Sequence, residues 1–237
     1  MFIISVEGNI GSGKSTFLDM LKIKYANNQD IVFLDEPLDA WSKITDESGT
    51  TMLEKFYNDK EKHSFAFQMM AYISRLSQLK KTIEKFPNSI IVTERSLLTD
   101  KHVFAKMLYD DGFIEEAHYK IYLEWFDTFS KEMEVKKLIY LKTNPEKSYE
   151  RMLKRNRTGE SIPLSYIECC HQYHEMWINN FPRMNVLTID ANRDMMRNPN
   201  DYLSWVQIFD YFVLRSKGDG IGRSRSDHDL LGRHGYK

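Results

Sequence analysis

Apolar, β-branched residues gather into five short runs along the chain: Phe2–Val6, Ile31–Leu34, Ser89–Val92, Leu138–Leu141 and Val186–Ile189. None alternates cleanly between apolar and polar positions, and strands buried on both faces have that signature. Segments with helical spacing fill the gaps. The order β-α-β-α-β predicts a doubly wound α/β domain, a five-stranded parallel sheet with helices on both faces. The first helix is expected to start inside a glycine-rich loop and run to about Tyr25; a much longer one covers Lys60–Phe86 and stops before Pro87.

Two spacers are too long for a single crossover helix. Pro37–Asn88 holds the polar stretch TDESGTT ahead of the long helix, and Leu97–Glu134 holds two helical patterns separated by Asp110-Asp111-Gly112. Insertions of this kind can build a substrate pocket, and the second can supply helices for a dimer. From Ser216 the composition turns to Gly, Ser, Arg and Asp (SKGDGIGRSRSDHDLLGRHGYK), which predicts a domain over residues 1–215 followed by a mobile tail, 216–237.

Composition narrows the class. With 42% hydrophobic and 28% charged residues, the chain has the make-up of a soluble globular protein. A formal net charge of −1 gives no global field for nucleic acid or a membrane surface. No apolar run reaches transmembrane length. Cys169 and Cys170 are adjacent, a poor placement for an ordinary disulfide, so a cytoplasmic setting is expected.

Candidate chemistry begins at Gly8-Asn9-Ile10-Gly11-Ser12-Gly13-Lys14-Ser15, continued by Thr16, which matches G-x-x-x-x-G-K-[ST] between a strand and a helix. Its glycines let backbone N–H groups curl around phosphates, Lys14 can reach the β- and γ-phosphates, and Ser15 can offer an oxygen to Mg²⁺. Such a loop holds a triphosphate, ATP or another, without naming the acceptor. Glu36 closes the second strand, where open α/β sheets place ligands, and could take a proton from an attacking hydroxyl or merely cap a turn. Glu94-Arg95-Ser96 closes the third: Arg95 could bear on a transferring phosphoryl group and Glu94 on the water shell of Mg²⁺, or the two could be a surface ion pair. The basic run Glu150–Arg157 is either a solvated helix face or a lid, about 151–163, whose arginines close over the donor.

In combination, GNIGSGKST, EPLDAW, FQ within a long helix, ERS followed by an acid, and RNRTGESIPLSYIE resemble the deoxyribonucleoside kinases of the animal deoxycytidine/deoxyguanosine kinase type, from Ile3 to about Asn192. The resemblance implies Glu36 as general base for the nucleoside 5′-hydroxyl, with Arg95, Glu94 and Lys14 at the reacting centre. It implies Trp41, Phe67 and Phe104 as walls of the base site, Gln68 as reader of the base edge, and Tyr57 with Glu160 on the sugar 3′-hydroxyl. Arg151, Arg155 and Arg157 match donor-phosphate arginines, and Asp190-Ala191-Asn192 the loop around the donor base. A homodimer is implied as well.

Gln68 and Arg75 stand seven residues apart, on one helical face. Arg75 and Asp100 match a pair found in members that accept deoxycytidine and purine deoxynucleosides, and Ala71 leaves room beside them. A carboxylate held by an arginine can accept from an exocyclic amine, whereas the carbonyl of thymine would face unpaired acceptors. Gly159-Glu160 departs from the family's two acids after the lid arginines. Two other readings compete. A thymidylate-type kinase would show Asp-Arg and an aromatic in place of Glu94-Arg95-Ser96. A GTP-binding switch could use Asp46-Glu47-Ser48-Gly49 as D-x-x-G, but that stretch is not at a strand end and no N-K-x-D follows. Cys169, His171, His174 and Glu175 have ligand-like spacing, yet they are expected on a helix packing face rather than around a metal.

Overall fold

All five apolar runs are strands in the computed structural model, which describes residues 2–157, 162–193 and 199–218. They are β1 (Phe2–Glu7), β2 (Ile31–Leu34), β3 (Ile90–Glu94), β4 (Val135–Lys142) and β5 (Val186–Asp190). The sheet is parallel throughout, in the order β2-β3-β1-β4-β5. β1 and β3 are buried almost end to end, which is why their sequences do not alternate. β4 starts three residues before its apolar run because the Val135-Lys136-Lys137 segment still pairs with β1, across a register shift between Ile3 and Ile4.

The helices are α1 (Lys14–Lys24), α2 (Leu38–Trp41), α3 (Met52–Asn58), α4 (Lys60–Lys85), α5 (Leu97–Thr99), α6 (Lys106–Asp110), α7 (Glu116–Phe129), α8 (Pro145–Arg155), α9 (Leu164–Asn179) and α10 (Pro199–Gly218). Local chemistry sets their ends. Thr51 and Glu54 form a reciprocal cap on α3, and the Asp59 side chain accepts from the Lys62 amide at the start of α4. Pro145 opens α8, and Asn156 closes it in the left-handed region at φ 47°. α5 and α6 are joined by a π-helical stretch, Asp100–Ala105, so Leu97–Asp110 is one winding with a widened middle. The sequence predicts a helical pattern there but carries no mark of the wider turn.

The chain divides into two units, Met1–Arg193 and Asp194–Lys237. The first holds the sheet and α1 to α9; α10 is the described part of the second. α10 extends through Gly218, and the rest of the predicted tail, 219–237, lies outside the described residues. Within the first unit, one apolar cluster joins β1, β3 and β4 to α4 and α7 through Ile3, Ile91, Leu138, Tyr72, Leu76 and Phe126. A second cluster, with Trp41, Phe56, Phe67, Ala71 and Met107, lies under the loops after β2 and β3.

The strand order puts β1 between β3 and β4, so the chain fills one side of β1 first and the other side later. The carboxyl end of β1 is therefore the crevice where open α/β sheets bind ligands. α1 is fastened beneath it by Phe17, Leu18 and Leu21, all fully buried. Replacing Phe17 by Ala keeps a good helix former and removes only packing. It should cost about 3–5 kcal/mol of the unfolding free energy, read from denaturant titration with the helix content of the folded state unchanged.

Candidate active site

The loop between β1 and α1 is shaped by glycines that nothing larger could replace. Gly8 has φ 147°, and a Cβ there would lie 2.6 Å from Ser12 Oγ and 2.8 Å from the Leu141 carbonyl oxygen. Gly11 has φ 75°, and a Cβ would come within 2.1 Å of the Ser148 carbonyl oxygen in α8. Asn9 braces the loop from inside: its Oδ1 accepts from the Ile10 amide at 2.8 Å, and its Nδ2 donates to the Ile167 carbonyl of α9 at 2.8 Å. Gly13, in the left-handed region, hands the chain to α1, and the Phe17 amide donates to its carbonyl. Lys14 is buried, and its Nζ donates to the Asn9 carbonyl at 2.7 Å. Burial, then the nearby Arg95, lowers its pKa to about 7 against the pull of Glu94, Glu36 and Glu7.

Facing this loop, the ends of β2 and β3 deliver Glu36, Glu94 and Arg95. Arg95 Nη1 donates to Glu36 Oε1 at 2.8 Å, and Arg75 Nη2, from α4, reaches the same oxygen at 3.3 Å. Burial alone would raise the Glu36 pKa, but Arg95, Arg75 and Lys14 outweigh it and hold the carboxyl well below the usual carboxylate range. Ser15 Oγ donates to Glu94 Oε1 at 3.0 Å at the first turn of α1. Arg95 itself has φ 61°, uncommon for a residue with a Cβ, and its guanidinium lies 5.1 Å from the Phe104 ring centre. Glu94 and Arg95 thus bond to Ser15 and Glu36 in a buried centre, in place of the surface ion pair that was the other reading.

α4 carries Gln68, Ala71 and Arg75 on its inward face. Arg75 Nε donates to Asp100 Oδ2 at 3.0 Å and Nη1 to the Glu94 carbonyl at 2.8 Å. Burial raises the Asp100 pKa to about 6 in spite of Arg75. Gln68 is 2% exposed, and its Oε1 has no partner among the described residues. Around it, Phe67 stacks on Phe56 with ring centres 4.6 Å apart and meets the Trp41 edge at 5.6 Å; Trp41 Nε1 is fixed by Ser74 Oγ at 2.7 Å. Tyr57 lies half-buried beside Phe56, and Ala71 belongs to the same cluster. The π-helical stretch supplies both Asp100 and Phe104, and such widened turns often mark functional sites.

In α8, Arg151 Nη1 donates to the Ala191 carbonyl at 2.7 Å, and Nη2 donates to the Asn192 and Arg193 carbonyls at 3.4 and 2.9 Å. Asn192 and Asp190 are joined by side-chain and backbone bonds. Arg155 ends α8, and Arg157 follows the left-handed Asn156. Glu160 lies outside the described residues. His174 is fully buried with Nδ1 against the Cys170 carbonyl, and Glu175 accepts from Tyr140 and Lys142. No metal-binding group of three such side chains occurs among the described residues, and both cysteines are free. Asp46–Gly49 is a turn between α2 and α3 rather than at the end of a strand, its aspartate held by Ser48, Thr50 and Lys55. No helix among the described residues is long and apolar enough to cross a membrane.

Sequence reading passed over two groups. Ser74, which fixes Trp41, has no signal of its own. Glu7 was visible only as a strand end; an acid closing the apolar run FIISV is the one mark that could have pointed to it.

A P-loop at the end of a central strand, facing a carboxylate held by two arginines and an aromatic pocket, defines a phosphotransferase that works on a hydroxyl acceptor. The chain belongs to the deoxynucleoside kinase family, which it matches over residues 4–213. It is 32% identical over 240 residues to deoxycytidine kinase 1 of Xenopus laevis, covering 89% of each chain. It is 35% identical over 196 residues to a probable deoxycytidine kinase of fowlpox virus, covering 81% of this chain and 78% of that one. It is also 35% identical over 202 residues to human thymidine kinase 2, mitochondrial, covering 82% and 72%. It is therefore a deoxynucleoside kinase that takes its phosphoryl group from a nucleotide; the monophosphate-kinase and GTP-switch readings are not favoured.

The state of Lys14 leads to a measurable proton flux. A triphosphate beside this lysine favours its charged form, so donor binding near neutral pH should take up protons. Calorimetry in buffers of different ionisation heat should show it as a buffer-dependent binding enthalpy, and an enthalpy independent of buffer would rule it out.

Proposed function

We propose that the chain transfers the γ-phosphoryl group of ATP, or of another nucleoside triphosphate, to the 5′-hydroxyl of deoxycytidine or a purine deoxynucleoside. The observation that carries the base preference is the buried Arg75–Asp100 pair beside Gln68. Held by Arg75, the Asp100 carboxylate is an acceptor suited to an exocyclic amine, and the Gln68 amide offers an acceptor and two donors to a base edge. Thymine would set a carbonyl against Asp100, a mismatch of about two or more powers of ten in kcat/KM. Trp41, Phe67 and Phe104 supply the flat apolar walls, and Tyr57 with Glu160 takes the sugar.

In this reading Glu36 receives the hydroxyl proton. Both guanidinium contacts fall on Oε1, and we assign the hydroxyl to Oε2. A carboxylate made so weakly basic takes the proton late, as the new P–O bond forms and the hydroxyl becomes acidic, which suits a loose transition state. Lys14, Arg95 and the arginines Arg151, Arg155 and Arg157 balance charge on the phosphates, with the P-loop amides of residues 8–16 around them. Ser15 and Glu94 are hard oxygen donors of the kind Mg²⁺ accepts, and the ion would neutralise donor phosphate charge there. The loop Asp190–Asn192 is assigned to the donor base.

A homodimer and a cytoplasmic setting complete the proposal. α4 and α7 pack together, with Tyr72 Oη donating to the Trp125 carbonyl, and they leave Ile73, Ile121, Trp125 and Phe129 each at least 44% exposed on their outer side. Such a patch is suited to a second copy.

The test is a panel of kcat/KM for the four deoxynucleosides with ATP; thymidine used as well as deoxycytidine would overturn the preference. Arg75→Met with Asp100→Ala should then raise thymidine relative to deoxycytidine by about 10–100-fold. The pH profile gives a second check. Protonation turns one Asp100 oxygen into a donor and weakens its pairing with Arg75, so kcat/KM for deoxycytidine should fall as pH drops through about 6, and Asp100→Asn should abolish that inflection.

A further inference from the structure

The carboxylate of Glu7 has no part in the chemistry above, yet it is fully buried at the root of the site. Glu7 ends β1, and the next residue opens the P-loop. Its carboxylate accepts three hydroxyl hydrogens: those of Ser5 and Ser96 on Oε1, and that of Thr99 on Oε2.

Two of these hydroxyls already have a task. Ser96 and Thr99 cap α5 reciprocally: Ser96 Oγ accepts from the Thr99 amide at 3.4 Å, and Thr99 Oγ1 accepts from the Ser96 amide at 3.2 Å. Each keeps its own hydrogen to donate, and the two hydrogens land on the two oxygens of Glu7. An ionised carboxylate, an acceptor at both oxygens, is the side chain that fits such a set.

Ser96 directly follows Arg95, the residue held at φ 61°. The Arg95 amide donates to the Val6 carbonyl at 2.9 Å. The last two residues of β1 thus grip the Arg95 turn from both sides, Val6 through the Arg95 backbone and Glu7 through the side chain of the residue after it. The negative charge of Glu7 also acts on Lys14 and Arg95.

We propose that Glu7 is a positioning residue for phosphoryl transfer: by tying down the Ser96–Thr99 cap it keeps Arg95 in the left-handed turn that directs its guanidinium to Glu36. This rests on the reading that Arg95 acts at the reacting centre. Glu7→Gln keeps the shape but sets an NH₂ group against a hydroxyl that must donate. It should lower kcat about 10- to 100-fold while KM for nucleoside and ATP stays within about threefold.

A double-mutant cycle with Arg95→Lys separates positioning from general damage. If Glu7 acts through Arg95, Glu7→Gln should cost no more than about twofold further in the Arg95→Lys background. Effects that multiply in full, or a wild-type kcat in Glu7→Gln, would overturn the proposal. A wild-type kcat in Arg95→Lys would instead overturn the reading of Arg95 on which it rests. Should Glu7→Gln not fold, Thr99→Val taken through the same cycle decides, with Thr99→Ser expected to restore kcat.

Discussion

Three cations and four carboxylates have been withdrawn from water at one end of the sheet, and the rest of the molecule is arranged around keeping them matched. Lys14, Arg75 and Arg95 stand against Glu7, Glu36, Glu94 and Asp100, and all but Glu36 are buried while Glu36 is nearly so. Removing one member of such a set leaves another charge buried without compensation, which is far more costly than breaking a surface pair. The members come from β1, α1, the loop after β2, α4, β3 and the π-helical stretch. The charge cluster therefore ties these elements to one another above the apolar core. It also explains why the carboxylate facing the P-loop is so weak a base: the arginines that keep it in place also keep it ionised.

α4 sets the spacing of several of these groups. Gln68, Ala71 and Arg75 lie on its inward face at helical spacing, and Ser74 on the adjoining stripe fixes Trp41. Arg75 links the two halves of the site, since one guanidinium touches Asp100, Glu36 and the Glu94 carbonyl. In the proposed reading, base recognition and hydroxyl activation would share that single side chain.

Much of this was legible in the chain. The strands could be read because burial on both faces removes alternation, and the P-loop because its glycines, lysine and serine are needed in that spacing. Three things were hidden. The π-helical widening at Asp100–Ala105 has no periodic mark, since it arises from how the turn packs. The charged start of β4 looked like spacer because Lys136 and Lys137 are only half-buried. The partnership of Glu7 with Ser96 and Thr99 joins residues some ninety positions apart, and no local pattern encodes it. The roles of Trp41, Tyr57 and Gln68 came from resemblance to a family, because an aromatic or a glutamine on a helix has many ordinary uses.

One contact constrains how this protein can move. At Gly11 the crown of the P-loop touches the backbone of α8 at Ser148 so closely that not even a methyl group would fit between them. Arg151, one turn further along, is tied to the carbonyls of residues 191–193. The first two turns of α8 are thus held from two flanks, by the P-loop at Ser148 and by the loop after β5 at Arg151. Two of the arginines at this end of α8 are therefore set differently: Arg151 is tied to three backbone carbonyls, and Arg157 lies beyond the left-handed Asn156 that ends the helix.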